Sequence, residues 1–140
     1  MEIVANAIQT VPVTQDVLFT DISVRGNYST LWRAGSGIVT LRGLPNGQCR
    51  ARFRAVFGAN IAVPEGETVG PVELTIAING EGVPTSRMIS TPLDVDNYNN
   101  VSADIYIDVP IGCCTQLTVQ NTGTIPVNVQ NANFIVERVA

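Results

Sequence analysis

The residue types that support most enzyme chemistry are scarce in this chain. It contains no His, and all eight of its basic residues are Arg. These absences remove the commonest general base, the commonest zinc ligand, and the lysines of Schiff-base enzymes and phosphate loops. A cysteine nucleophile of the papain type would also lack its base. We therefore expect a non-enzymatic protein with no catalytic residues and no bound cofactor.

Three arginines alternate along one predicted strand. Arg50, Arg52 and Arg54 share one face of that strand, and the opposite face, which starts at Cys49, is small and apolar. Because the net charge is −4, we expect carboxylate partners on neighbouring strands or subunits, with Glu137 the nearest candidate. The pattern fits either an anion or glycan site or a salt-bridge ladder at a subunit interface. We favour the ladder.

The segment 94–100 concentrates hard oxygen ligands, including Asp94, Asp96 and Asn97. Ca²⁺ takes roughly six to eight oxygens, which two carboxylates, amides and backbone carbonyls can supply. The segment lacks the Gly and the distal Glu of an EF-hand loop. We favour a solvated loop with Asx turns and keep Ca²⁺ binding as the alternative.

Aromatic residues suggest a possible ligand surface. Tyr28 and Trp32, beside Arg33, have the chemistry of a platform that stacks against a sugar, and Tyr98 lies in a second polar loop. A single Trp in a short strand is more often an anchor in a core or an interface, and we favour that interpretation.

The cysteines are Cys49, Cys113 and Cys114, an odd number without the spacing of a metal site. Neighbouring residues of a strand point to opposite sides, so a ring joining the two adjacent cysteines would be strained. Pairing of one of them with Cys49 is the alternative. We expect all three to be reduced, with Cys49 a small core residue.

The elements that must position these residues are strands. Apolar and polar residues alternate with period two, and Gly and Pro recur too often for long helices. About ten strands at roughly 8–12-residue spacing predict an antiparallel sandwich or barrel. The predicted strands are 3–13, 17–24, 29–33, 37–41, 48–57, 72–78, 83–92, 101–109, 115–120 and 125–139. A chain of 140 residues fits a single domain, and we assign residues 1–140 to it.

Charge and hydropathy restrict the partners. Only 14% of the residues are charged, against about 25% in an average soluble domain, which suggests surface buried in an oligomer. The negative net charge argues against nucleic acid. No apolar run approaches the ~18 residues of a transmembrane helix, so we expect no membrane insertion. Residues 1–30 lack a secretory signal, so we expect folding in the cytosol.

Three segments carry a resemblance to a known family: 38–57 with its central turn, the predicted hairpin 74–84, and the ending 134–140. They resemble the trimeric jelly-roll domains of the tumour-necrosis-factor (TNF) and complement globular-head superfamily. The closest likeness is to the C-terminal domains of bacterial spore-surface collagen-like glycoproteins and related phage proteins. This resemblance implies two stacked five-stranded sheets, adjacent first and last strands, and an inner sheet packed around a threefold axis.

We therefore expect an all-β, TNF-like antiparallel jelly roll that forms a homotrimer. Its expected function is structural: display on a larger particle, as a phage capsid decoration or head-fibre protein on the virion surface. The expected partners are other copies of the chain and a capsid or other surface protein. The alternative is a receptor- or glycan-binding adhesion module of a phage fibre or of a bacterial or spore surface, with aromatic residues around Trp32 and Tyr98 as the contact.

Overall fold

Twelve strands form two stacked antiparallel sheets in the computed structural model. The structure describes the backbone of residues 1–140 and the side chains of all of them except Cys113. The strands are β1 (Glu2–Ala5), β2 (Gln9–Val11), β3 (Asp21–Val24), β4 (Thr30–Trp32), β5 (Val39–Gly43), β6 (Arg50–Ala62), β7 (Val72–Ile78), β8 (Glu81–Gly82), β9 (Met88–Ser90), β10 (Asn99–Pro110), β11 (Gly112–Asn121) and β12 (Val127–Arg138).

Each sheet contains six strands. The first has the order β10-β6-β12-β1-β3, with β2 also pairing β12; the second has the order β4-β5-β11-β7-β8, with β9 also pairing β7. The predicted all-β jelly roll is confirmed, and β1 lies next to β12 as the resemblance implied. Six strands replace the implied five for a different reason in each sheet. Strand 3–13 divides into β1 and β2. The short strand β8 lies in a segment predicted as a turn, and the predicted strand 83–92 is reduced to β9, because a 3₁₀ turn, Pro84–Ser86, occupies its start and Pro cannot donate to a ladder.

Among the described residues, this 3₁₀ turn is the only helical element. Within that part of the chain, no helix has the length and hydropathy needed to cross a membrane.

The core lies between the two sheets and is centred on three phenylalanines. The rings of Phe19 and Phe134 stack with their centroids 5.7 Å apart, and Phe57 meets both edge-on, at 6.4 and 5.9 Å. Phe57 and Phe134 lie on the paired strands β6 and β12, at positions directly opposite each other. The alternation of apolar and polar residues that predicted these strands therefore also predicts which face of each strand enters the core.

Strand β6 begins and ends later than predicted. Cys49 precedes it and is exposed, so its predicted place in the core is wrong. At the other end, Ala59 and Ile61 continue the buried alternation of β6 into a segment predicted as loop. The turn-forming composition of that segment begins only at Pro64, which explains why the ladder extends to Ala62.

The first half of the predicted strand 17–24 is irregular, although two of its apolar residues are buried. Val17 and Phe19 lie in the core, but their amides bond to other segments: the Val17 N–H to the Val119 carbonyl at 2.8 Å, and the Phe19 N–H to the Ser36 carbonyl at 3.3 Å. Only Asp21–Val24 forms a regular strand. The prediction that Val17 and Phe19 are buried is therefore correct, whereas the prediction that residues 17–20 pair as part of a strand is wrong.

The two Asn-Gly pairs have different roles. At Asn79-Gly80 both residues have positive φ, 51° and 84°, and the pair closes the β7–β8 hairpin. Asn46-Gly47 carries the same turn signal, typical of a tight hairpin, but lies in the connection between β5 and β6. Those two strands belong to different sheets, so this turn connects the two sheets and closes no hairpin.

Candidate functional site

The outer face of the first sheet carries a ladder of ion pairs between β6 and β10. Arg52 forms a bidentate pair with Asp108, with Nε–Oδ1 at 2.8 Å and Nη2–Oδ2 at 3.2 Å. Arg54 binds Asp104 in the same way, at 3.0 and 2.5 Å. Arg50 Nη1 lies 3.4 Å from Asp108 Oδ2. The three arginines predicted to share a face therefore do so, and their carboxylates come from the same chain.

Glu137, the predicted partner, is not the residue that holds them. Strand β12 does lie beside β6, and Glu137 is opposite Arg54. Among the described side chains, however, Arg52 donates to Asp108 and Arg54 donates to Asp104, both on β10, the other strand beside β6. Glu137 has only a small electrostatic effect on Arg54. The sequence does contain a pattern that indicates these partners. Asp104 and Asp108 lie two residues before and two residues after Tyr106, so they share one face of their strand, as the arginines share one face of β6.

The ion pairs of the ladder lower the pKa of their carboxylates, which predicts a loss of stability in acid. Hydrogen bonds from Arg54 and Arg52 lower the pKa of Asp104 and of Asp108, respectively. A carboxyl with a lowered folded-state pKa stabilises the fold above its unfolded pKa, and that contribution disappears as the pH falls through the folded value.

We therefore expect the melting temperature to fall on acidification below about pH 4, and to fall less steeply in the Asp104→Asn/Asp108→Asn variant. Thermal melts between neutral and acidic pH, followed by circular dichroism, measure this. Parallel pH profiles for the variant and the original chain would contradict the role given to the ladder.

Apolar side chains accompany the ladder on this outer face. Val56 and Ile135 are half-buried and lie opposite each other on β6 and β12. Tyr106, opposite Arg54, is 68% exposed. The face therefore combines a partly apolar centre with charges that are already paired, a composition suited to burial against another protein surface.

The edge of the first sheet at β10 is also partly apolar. Val101, Ala103 and Ile105 point toward the core but remain half-exposed. Leu93, in the preceding loop, is 93% exposed. An edge strand with accessible apolar side chains is a ready contact surface for another chain.

The predicted aromatic surface is only partly assembled. Trp32 Nε1 donates to the Ser36 carbonyl at 2.8 Å, which holds the indole in place, and Tyr28 is 80% exposed. Both line a groove of about 510 Å³ beside the β3–β4 connection. Tyr98 does not join them: it precedes β10, whereas Tyr28 follows β3, and these strands are the opposite edges of the first sheet.

The proposed calcium segment is exposed at Asp94, Asp96 and Asn97. The Asp94 carboxylate accepts a hydrogen bond from the Val95 N–H at 2.8 Å, and Asp96 has a φ of 54°. No group of three or more Asp, Glu, Cys or His side chains converges as a metal site within the described part of the chain. Calcium binding stays a prediction.

The cysteines differ from their predicted state. Cys114 is disulfide-bonded, so the prediction that all three cysteines are reduced is wrong. Cys49 is free, which excludes the alternative in which it forms the bridge. The side chain of Cys113 lies outside the described residues.

Comparison with known proteins identifies the fold. No family model matches the chain, and no curated protein matches its sequence. The globular domain of zebrafish complement 1qA protein is similar with a TM-score of 0.67 at 13% identity, over 99% of this chain and 95% of that one. The crystal structure of murine APRIL at pH 5.0 is similar with a TM-score of 0.64 at 11% identity, over 97% of each chain.

These likenesses show that the chain has the jelly-roll fold of these two domains. At such low identity they show the fold alone, and the predicted closeness to spore-surface and phage proteins stays a prediction.

Proposed function

We propose that this chain is a non-enzymatic structural module that assembles as a homotrimer and is displayed on a larger particle. The observation that carries the proposal is the pair of contact surfaces on the first sheet: its outer face around Val56 and Ile135, and its apolar edge at β10. The chain's low content of charged residues, 14%, supports the burial of such surfaces.

The two surfaces favour a ring. They differ from one another, so a contact between the edge of one subunit and the face of the next is heterologous, and such contacts close into a ring when the rotation allows it. The resemblance to trimeric jelly rolls implies that the ring has three members and that this sheet lies around the axis.

The ion-pair ladder suits an interface of this kind. Burying a charge that has lost its partner is costly, whereas a charge with a bidentate partner already in place carries less of that cost. Arg52 and Arg54 are held by carboxylates of their own chain. Each subunit therefore brings Arg52 and Arg54 to the interface with their carboxylate partners already in place.

We expect the purified chain to have about three times its monomer mass of 14.9 kDa in size-exclusion chromatography with light scattering. Ile135→Arg places a charge in the apolar centre of the face and should yield monomers. Ile89→Arg is the matched control, because Ile89 is exposed on β9 of the second sheet. A monomer at micromolar concentration, or a trimer unaffected by Ile135→Arg, would contradict the assembly.

Arg52→Ala should shift the trimer toward monomer, because Asp108 would enter the interface without its bidentate partner. Arg87→Ala removes a similar ion pair, with Glu73 on β7 of the second sheet, and should leave the oligomer unchanged. Light scattering across a dilution series, at low and high salt, measures the difference. Equal dissociation of the two variants would place the ladder on a solvated face.

The particle that we propose is a phage capsid, on which the trimer would serve as a decoration or head-fibre protein with a capsid or other surface protein as its partner. The resemblance to phage proteins supports this assignment, as does the scarcity of catalytic residue types. Mass spectrometry of purified phage particles should find the chain in a fixed ratio to the major capsid protein. Recovery of the chain only from the bacterial envelope would favour the adhesion module.

A further inference from the structure

The arginines without an aspartate or glutamate partner are gathered in one region of the protein. Four arginines form ion pairs, all of them already described. Of the other four arginines among the described side chains, Arg25 and Arg138 line a groove beside the β3–β4 connection. Arg42 donates to the Tyr28 carbonyl within that connection, and Arg33 directly follows β4 and lines a neighbouring groove. In a chain of net charge −4, a cluster of cations that no acidic side chain pairs with points to an anionic ligand.

Two adjoining grooves bring these cations together with the aromatic residues. Arg25, Asn27 and Thr30 line both grooves. Tyr28 and Trp32 complete the wall of the larger one. The result is a continuous depression with an aromatic end and a cationic end.

Arg138 closes the cationic end, in a groove of about 380 Å³. Its Nε donates to the Ala140 carbonyl at 2.9 Å. Its Nη2 is the buried side-chain nitrogen, among the described residues, that lacks an acceptor. A buried donor without an acceptor is costly, so this guanidinium retains hydrogen-bonding capacity. Glu137 also lines the groove, but with Arg25 and Arg138 the three charges still sum to a positive value.

We infer that this depression binds an acidic saccharide, which is a function beyond the proposed structural one. The sugar ring stacks on Tyr28 and Trp32, and its carboxylate or sulfate group binds Arg25 and Arg138. Asn27 lies between the two ends; its Oδ1 already accepts hydrogen bonds from Ser29, and its amide N–H₂ group can donate to a ring hydroxyl. Neither an aromatic wall nor a pair of arginines alone would select this ligand; their juxtaposition does.

Isothermal titration calorimetry with three trisaccharides tests the inference: trigalacturonate, a sulfated galactan trisaccharide and neutral galactotriose. We expect one or both acidic probes to bind at least about tenfold more tightly than the neutral one, and added salt to weaken that binding. The stronger acidic probe distinguishes a carboxylate ligand from a sulfate ligand. Equal affinity for all three, or no binding at millimolar concentration, would overturn the inference.

Four variants locate the site. Arg25→Gln and Tyr28→Ala change exposed side chains and should each weaken binding by about tenfold. Arg87→Gln and Tyr98→Ala change an arginine and a tyrosine outside the grooves and should bind as the original chain does. Unchanged affinity in the first pair, or equal loss in all four, would refute the site. Light scattering on Arg25→Gln, which should remain a trimer, separates this result from failure of the assembly.

Discussion

Replacing Phe134 by Ala should lower the free energy of unfolding by about 3–5 kcal/mol. Phe134 is 0% exposed and packs against Phe19 and Phe57, one from a loop and one from the neighbouring strand. Its strand, β12, lies inside the first sheet, between β6 and β1. Removal of the ring therefore leaves a cavity whose walls belong to several segments and cannot easily collapse.

Urea unfolding at a fixed protein concentration measures this loss, because the stability of an oligomer depends on concentration. Phe134→Leu should cost less than Phe134→Ala, since it leaves a smaller cavity. Ile89→Ala is the control for a large apolar residue in solvent, because Ile89 is 53% exposed on the second sheet, and should change the free energy of unfolding little. A loss below about 1 kcal/mol for Phe134→Ala would contradict the described core.

Deletion of residues 137–140 should abolish soluble assembly, although four terminal residues are usually dispensable. The Val139 N–H donates to the Arg52 carbonyl at 2.8 Å, and the Arg52 N–H donates to the Ala140 carbonyl at 3.2 Å. The ladder pairs of Glu137 and Arg138 with β6 would also be lost.

The expected cost of this deletion comes from the backbone. Val139 is 46% exposed, so the burial that its apolar side chain suggested contributes little within one chain. At about 0.5–1.5 kcal/mol per bond, the lost bonds together remove a large part of the ~5–15 kcal/mol that stabilises a typical domain.

Val139→Ala in the full-length chain separates side chain from backbone and should melt close to the original temperature. Soluble yield, light scattering and thermal melts of the truncated chain provide the measurement. A truncated trimer with an unchanged melting temperature would show that the backbone hydrogen bonds between residues 137–140 and β6 are dispensable.

The sequence predicted one part of the ion-pair ladder and not the other. Side-chain alternation placed Arg50, Arg52 and Arg54 together on one face, because that placement depends only on neighbouring residues of one strand. Their partnership with Asp104 and Asp108 required knowing that β10, rather than β12, supplies the carboxylates. Both strands flank β6, and both carry acidic residues, so local pattern alone did not choose between them.

The sequence by itself determined the class of fold, most of the strands and the face of each strand that enters the core. All three follow from period-two alternation and from turn residues such as Asn79-Gly80, which act over a few neighbouring positions. The tertiary structure alone decided which strands pair, why Cys49 lies outside the core, and how Arg25 and Arg138 come to share a groove although more than 100 residues separate them. Such contacts depend on closing long loops between distant strands, and the sum of burial and hydrogen bonding over the whole sandwich selects among them.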